Sequence, residues 1–499
     1  MTRATLVGVD IGTSSSKGVL VDRDGRLLRT ATREHGVDRP RVGHVEMDAQ
    51  IWWDELVAIV QELLRAEPDA DVVGVGVSGM GPCVLLADDA GTPVRPAILY
   101  GVDSRASEQI ARLDATLGAD AILRRGGSAL TSQAAGPKIA WVAEHEPGTY
   151  ARARRLFMPS SWLAYRLTGA YVLDHHSASQ STPLYDADAL AWYAPWVDVV
   201  APDLSLPELV WPADVVGTVT RDAAAQTGLP AGVPVVAGTI DAWTEAVSVD
   251  AQNVGDLMLM YATTMFLINT VAERVSTPSM WSTVGAYPGT RCLAGGMATS
   301  GAITGWLRDL VGGAPYADLV AEARASGVGA HGLLMLPYFA GERTPIQDPE
   351  ARGLIAGLTL SHTRGDLYRA ALEATAYGVR HNVETILAAG GTVERVVAVG
   401  GGTQGALWTQ IVSDVTGLEQ VVPQQTIGAS YGAAYLAATA TGDADIGRWN
   451  PPASLVRPDP ARHATYSELF ALYRDAYPAT QQLSHRLAEH QRTIEKGTP

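Results

Sequence analysis

Between residues 7 and 22 the chain reads VGVDIGTSSSKGVLVD, and its small hydroxyls, single cation and carboxylates could together hold a phosphate. Apolar runs LVGVD and KGVLVD flank the turn IGTSSS, so the segment predicts a tight hairpin turned at Gly12. Such a turn gathers backbone N–H groups, Thr13, Ser14, Ser15, Ser16 and Lys17 around one small volume, as an anion cradle does. Asp10 ends the first run, where a carboxylate can hold Mg²⁺ that keeps several waters and bridges phosphate oxygens. An ordinary hairpin with a serine-rich turn reads the same from this stretch alone.

A second carboxylate, Asp241, closes the apolar stretch GVPVVAGTID (232–241) after the small residues Gly238 and Thr239. There the backbone can come close to a ligand, and the acid could take a proton from a substrate hydroxyl as general base. The alternative is a helix N-cap for the following AWTEAVS. Further on, VVAVGGGTQGALWTQIVSD (396–414) reads as strand, glycine turn and amphipathic helix, with Gly400, Gly402 and Gly405 in G-x-G-x-x-G spacing. A dinucleotide site needs an acid at the end of the next strand, and LEQVVPQQ ends in Pro423 and glutamines. An adenine nucleotide therefore suits this turn better than NAD. Other chemistries lack their residues: Ser78 sits in no G-x-S-x-G elbow, adjacent His175 and His176 have no Cys or His partners for zinc, and no Walker motif occurs.

The elements that must position these groups alternate between strand and helix. A helix is predicted over Ile51–Arg65, a buried strand over 72–79, a strand and then a helix within 93–106, and helices at 138–145 and 160–168, the last stopped by Gly169. VGDLMLMYATTMFLINT (254–270) repeats the opening layout, with Ala262, Thr263 and Thr264 where the first hairpin has Gly12, Thr13 and Ser14. One unit used twice predicts two domains, 1–248 and 249–499, with hairpins facing each other across a cleft. The last 30 or so residues read as a charged helix. A chain of 499 residues, 47% hydrophobic and 18% charged with 51 glycines, can bury such α/β cores. A net charge of −16 without a basic run argues against nucleic acid or an acidic membrane as partner. Two distant cysteines, a strand beginning by about Thr5 and no long apolar span lead to the expectation of a cytoplasmic protein.

These residues resemble those of the FGGY carbohydrate kinases over roughly 5–440. DIGTSSSK is similar to the family's first phosphate loop, PAILYGVDSRA to its sugar-side segment, and KIAWVAEH (138–145) to the core of one signature. GLIAGLTLSHTRGDLYRAALE (353–373) fits the second signature throughout, and YFAGERTP (338–345) resembles xylulokinase-like members. The resemblance implies an α/β fold of two actin-like, RNase H-like domains flanking a central cleft. It implies ATP and Mg²⁺ as cofactors, Asp241 as catalytic base and Asp10 at the metal. Thr13, Ser14 and Lys17 fall on the first phosphate hairpin and Thr264 on the second, while Gly301, Gly401, Gly402 and Gly405 fall on nucleotide contacts. Met80, Gly81, Pro82, Asp103 and Arg105 fall on the sugar side, with a structural salt bridge as the alternative reading of the last two. Trp243 could wall that pocket or belong to the core.

Two departures bear on the acceptor. Many xylulokinases read S-G-Q-M-H-G where this chain has SGMGPC (78–83), and Asn where it has Ala242; both changes remove hydrogen-bonding groups aimed at a sugar. The implied reaction is transfer of phosphate from ATP to a primary hydroxyl of a small ketose. D-xylulose, giving xylulose 5-phosphate, leads, ahead of other pentuloses, polyols and gluconate. A nucleotide-binding regulatory ATPase and an NAD-dependent oxidoreductase are the readings from other classes. Family members are often dimers.

Overall fold

A computed structural model describes residues 3–497. The chain divides into two compact units. The first comprises residues up to Asn253 with Thr270–Cys292 and Ile427–Pro451; the second comprises Val254–Asn269, Leu293–Thr426 and the chain from Pro452 onward.

The first unit is built on a mixed sheet. Its strands run in the order Val215–Thr218, Pro234–Val236, Ala70–Gly79, Arg3–Ile11, Ser15–Asp22 and Leu27–Glu34. Arg3–Ile11 and Ser15–Asp22 form the predicted antiparallel hairpin, and Ala70–Gly79 lies parallel beside the first of them. Helix Ala49–Ala66, capped by Asp48 accepting from the Gln50 N–H at 2.9 Å, buries Trp52, Trp53, Leu56, Ile59, Val60 and Leu63. Helix Ala429–Thr441 packs close to the strands, because Gly8 has no side chain. A Cβ there would lie 2.0 Å from the Ser430 carbonyl. Such a face of Val, Leu and Ile against an alanine-rich helix is the layered packing that buries a sheet on both sides.

The expected strand over 232–241 is interrupted. It forms two short pieces, Pro234–Val236 and Thr239–Ile240, broken at Gly238 (φ 69°). An apolar run cannot reveal such a break, since Val235 to Ile240 stay buried on either side of the kink. The predicted helices at 138–145 and 160–168 are found as Ala135–His145 and Pro159–Thr168, the latter ended by left-handed Gly169. Segment 93–106 forms only the short strand Ala97–Ile98, and its helix starts at Ser107.

The second unit repeats the central order. Asp256–Tyr261 and Met265–Val271 form an antiparallel hairpin, and Arg395–Val399 lies parallel beside the first of these. Across the sheet the order is Arg291–Met297, Met265–Val271, Asp256–Tyr261, Arg395–Val399, Gln420–Pro423 and Pro452–Val456. The 25-residue helix Arg364–Ala388 covers this unit, capped by a Thr363–Asp366 capping box within the 353–373 motif. The chain ends in helix Pro460–Gly497. Among the described residues no helix is long and apolar enough to cross a membrane.

Candidate functional site

Strand register brings three separated parts of the first unit together. Asp10 is paired with Lys17 across the hairpin and with Ser78 on the parallel strand, while Thr239 is paired with Ser78 and Ile240 with Gly79. The chain therefore emerges at Asp10, Met80 and Asp241 side by side, at the carboxyl ends of parallel strands, where open α/β sheets bind ligands. The Ser78 hydroxyl donates to Asp10 Oδ1 at 2.6 Å, and Lys17 Nζ donates to the Ile427 carbonyl at 3.2 Å. Asp241 is the first residue of helix Asp241–Ser248, and its Oδ1 accepts from the Ala242 N–H at 2.7 Å. The N-cap is Ile240, so Asp241 does not fill the capping position that its sequence context also allowed.

One turn further along the same helix stands Glu245, which sequence reasoning missed. Its spacing of four from Asp241 puts both acids on one helix face, and that was the available signal. Burial raises the Asp10 carboxyl to about 6, opposed by the Ser78 hydrogen bond and by Lys17. Burial, and then the charge of Asp10, push Asp241 up to about 7. Glu245 rises to about 7 through burial and Asp10, with Lys17 acting the other way. Three acids thus crowd together while Lys17 offsets only Asp10 and Glu245, an arrangement that suits an added cation. Among the described residues no three His, Cys, Asp or Glu side chains are grouped to enclose a metal. Asp10 would accordingly supply one carboxylate to Mg²⁺.

The hairpin turn is braced from behind. His35 Nε2 bonds the Gly12 carbonyl at 3.0 Å, and its Nδ1 meets Glu55 at 2.8 Å. Ser14 is exposed and Thr13 half-buried, its Oγ1 sharing a 2.9 Å hydrogen bond with the Tyr100 hydroxyl. On the expected sugar side, the Met80 N–H donates to the Ile11 carbonyl at 2.8 Å, and a Cβ on Gly81 would lie 2.6 Å from Ile240. Met80 and Pro82 are buried.

Asp103 and Arg105 form a buried network. Arg105 Nε and Nη2 bond Asp103, its Nη1 reaches Glu46 at 2.6 Å, and both side chains are 0% exposed. Asp103 also accepts from the Val45 N–H at 2.6 Å, and Arg95 joins Glu46 to Glu146. Buried Lys138 holds the neighbouring Leu99, Tyr100 and Ser132 carbonyls at 2.6–2.8 Å, with burial lowering its pKa to about 8. Trp243 is buried against His176, ring centres 3.9 Å apart.

In the second unit the predicted nucleotide residues surround one hairpin. The Ser300 and Ala302 N–H groups donate to the Thr263 carbonyl, and the Gly301 N–H donates to that of Ala262, each at 3.0 Å. These bonds fix the start of helix Gly301–Leu310 against the turn that carries Thr264. Only glycine fits at 301, because a Cβ would lie 2.6 Å from the Ala262 oxygen. The Gly400 turn meets the other side of the hairpin: with φ 90°, its Cβ would lie 2.6 Å from the Tyr261 carbonyl. Gly401–Gln404 forms a single 3₁₀ turn, and Gly405 then caps helix Ala406–Thr416. Gly402 packs on Tyr261 and Trp408, whereas a Cβ on Gly401 would meet only open space. Ser300 Oγ is buried without a hydrogen-bond partner among the described residues. With the Gly301 helix start tied to the hairpin through its N–H groups, the open Gly401 turn ahead of helix Ala406–Thr416 and the Thr264 hydroxyl remain to meet a nucleotide.

The chain matches known proteins over most of its length. Residues 5–248 match the N-terminal domain, and 257–441 the C-terminal domain, of the FGGY family of carbohydrate kinases. A xylulose kinase of Staphylococcus epidermidis is 26% identical, the match covering 97% of this chain and 98% of that protein. Glycerol kinase 2 of Streptomyces avermitilis is 31% identical, with 88% of each chain covered. The crystal structure of xylulose kinase from Rhodospirillum rubrum superposes with a TM-score of 0.91 at 32% identity, over 96% of this chain and 100% of that one.

Proposed function

The chain belongs to the FGGY family of carbohydrate kinases, and from that premise we propose that it phosphorylates a primary hydroxyl of D-xylulose with ATP, forming xylulose 5-phosphate. The observation that carries the proposal is the Asp241 carboxylate. It opens helix Asp241–Ser248 directly after a buried strand, with its titration pushed up to about 7, near the pH at which a general base is most effective. Asp241 takes the proton as the substrate oxygen attacks the terminal phosphorus in line. Thr13, Ser14 and Lys17 contact phosphate oxygens in the first unit. In the second, Thr264 and Gly301 contact the phosphate chain, and Gly401, Gly402 and Gly405 leave room for the nucleoside. Mg²⁺, held by Asp10, supplies positive charge to the β and γ oxygens when bound. Such catalysis consists mainly of positioning and charge stabilisation.

The sugar rests on Met80, Gly81 and Pro82 and on the segment carrying Asp103 and Arg105. Because this pocket segment offers a thioether and two side chains without donors, the acceptor is recognised more by shape than by side-chain hydrogen bonds. That feature, with the glycerol kinase at 31% identity, supports a second reading in which the acceptor is a polyol. Release of ADP across pentuloses, hexuloses, glycerol, erythritol and gluconate separates the two. The highest kcat/KM is expected with D-xylulose; a preference for glycerol or gluconate would overturn the ketose assignment, and ADP release indifferent to every acceptor would overturn the transfer itself.

A further inference from the structure

We propose that Arg343 is a further phosphate-binding residue, its guanidinium contacting the β- or γ-phosphate of the bound nucleotide. The inference rests on the ATP reading above and on geometry within the second unit. Segment 342–344 is laid along the end of strand Arg291–Met297 by hydrogen bonds. Glu342 Oε1 accepts from the Ala298 N–H at 2.7 Å, Thr344 Oγ1 accepts from the Gly296 N–H at 2.8 Å, and the Thr344 N–H donates to the Gly296 carbonyl at 3.2 Å. Thr344 is held in addition by Asn382, to whose Oδ1 its hydroxyl donates at 2.7 Å. Glu342 and Thr344 are buried, and Arg343 between them is exposed. The backbone of Arg343 is thus fixed on both sides while its side chain is free to meet a ligand.

The direction of that side chain follows from Gly296. A Cβ there would lie 3.6 Å from Arg343 Nη1, 3.5 Å from the Met265 carbonyl and 3.3 Å from the Phe266 ring. Met265 directly follows Thr264, so the guanidinium stands beside the base of the hairpin that is pinned to the Gly301 helix start. A glycine at 296 leaves that space open. The charge of Arg343 acts on the neighbouring Glu342 carboxyl, whose Oε1 is already engaged by the Ala298 and Arg343 N–H groups. A guanidinium fork matches two phosphate oxygens and carries charge into a cradle otherwise lined with neutral N–H groups and hydroxyls.

Titration of ATP, ADP and AMP into the Arg343→Gln and Arg343→Lys proteins, followed by calorimetry, tests the assignment. Arg343→Gln should weaken ATP binding by about tenfold to a hundredfold, as expected for loss of a charge-assisted contact, and change AMP binding by less than about twofold. Arg343→Lys should recover part of the loss, and both variants should melt with the wild-type protein. Unchanged ATP affinity in Arg343→Gln, or an equal loss for ATP and AMP, would overturn the proposal while leaving the ATP reading intact. Failure of the wild-type chain itself to bind ATP would overturn both.

Discussion

Replacing Asp241 by asparagine should abolish turnover and, at the same time, stabilise the protein. Asparagine keeps the Oδ1 acceptor that faces the Ala242 N–H, so the start of helix Asp241–Ser248 loses no hydrogen bond. What disappears is the proton acceptor, worth about 10²–10⁴-fold in kcat. The same change relieves the crowding of Asp10, Asp241 and Glu245. The Asp241 carboxyl titrates at about 7 in the folded chain against 3.8 for an unperturbed group. Folded protein therefore binds more protons than unfolded protein between those values, and stability falls as pH rises through that window. The cost is complete above pH 7, where a shift of about three pK units corresponds to at most about 4 kcal/mol. Asp241→Asn should accordingly match the wild type near pH 4 and become progressively more stable toward pH 8. Urea unfolding across that range, in EDTA so that no divalent cation screens the acids, measures the difference. Added Mg²⁺ should narrow it. Wild-type turnover in the variant would refute the base assignment, and a stability difference that does not grow with pH would refute the crowding argument.

The other expectations concern the second unit. Gly301→Ala places a Cβ 2.6 Å from the Ala262 oxygen, so either the helix start or the hairpin must move; ADP affinity by calorimetry should fall about tenfold with a stability loss of about 1–3 kcal/mol. Unaltered ADP binding would show that this junction does not shape the nucleotide site. Burial pushes Glu342 up to about 8, so its folded form keeps a proton that the unfolded chain releases near 4.5, and stability should fall between those pH values. Glu342→Gln mimics the protonated acid and should flatten that part of the Tm–pH curve; an unchanged slope would contradict it.

Much of the architecture could be read from local pattern because each element carried its own signal. The repeated order of strand, small hydroxyl turn and strand at 7–22 and 254–270 is realised as two hairpins, each with a parallel third strand. The helix end marked by Gly169 was legible for the same reason. The interruption at Gly238 was not, since hydrophobicity reports burial and not direction. Nor does a contiguous domain division describe how Thr270–Cys292 and Ile427–Pro451 group with the first unit. Grouping of this kind depends on contacts between residues hundreds of positions apart, such as Lys17 with the Ile427 carbonyl.

The same distinction separates the readable part of the site from the rest. Asp10, Asp241 and the glycines announced themselves because each terminates a strand or opens a helix, and ends of elements are marked in sequence. Glu245, Lys138 and Arg343 lie within elements or loops, and their placement depends on what packs against them. Lys138 illustrates the point: in sequence it is one polar residue on a helix, yet its ammonium holds three carbonyls and carries a lowered pKa of about 8. Two of those carbonyls belong to Leu99 and Tyr100, and the Tyr100 hydroxyl in turn meets Thr13 in the phosphate hairpin. A buried cation satisfied wholly by backbone carbonyls fixes the path of the chain more than it adds stability, because its desolvation opposes the hydrogen bonds it gains. The sugar-side segment and the phosphate hairpin of the first unit are therefore mechanically joined through Lys138, Tyr100 and Thr13, a linkage made of three residues that no local pattern relates.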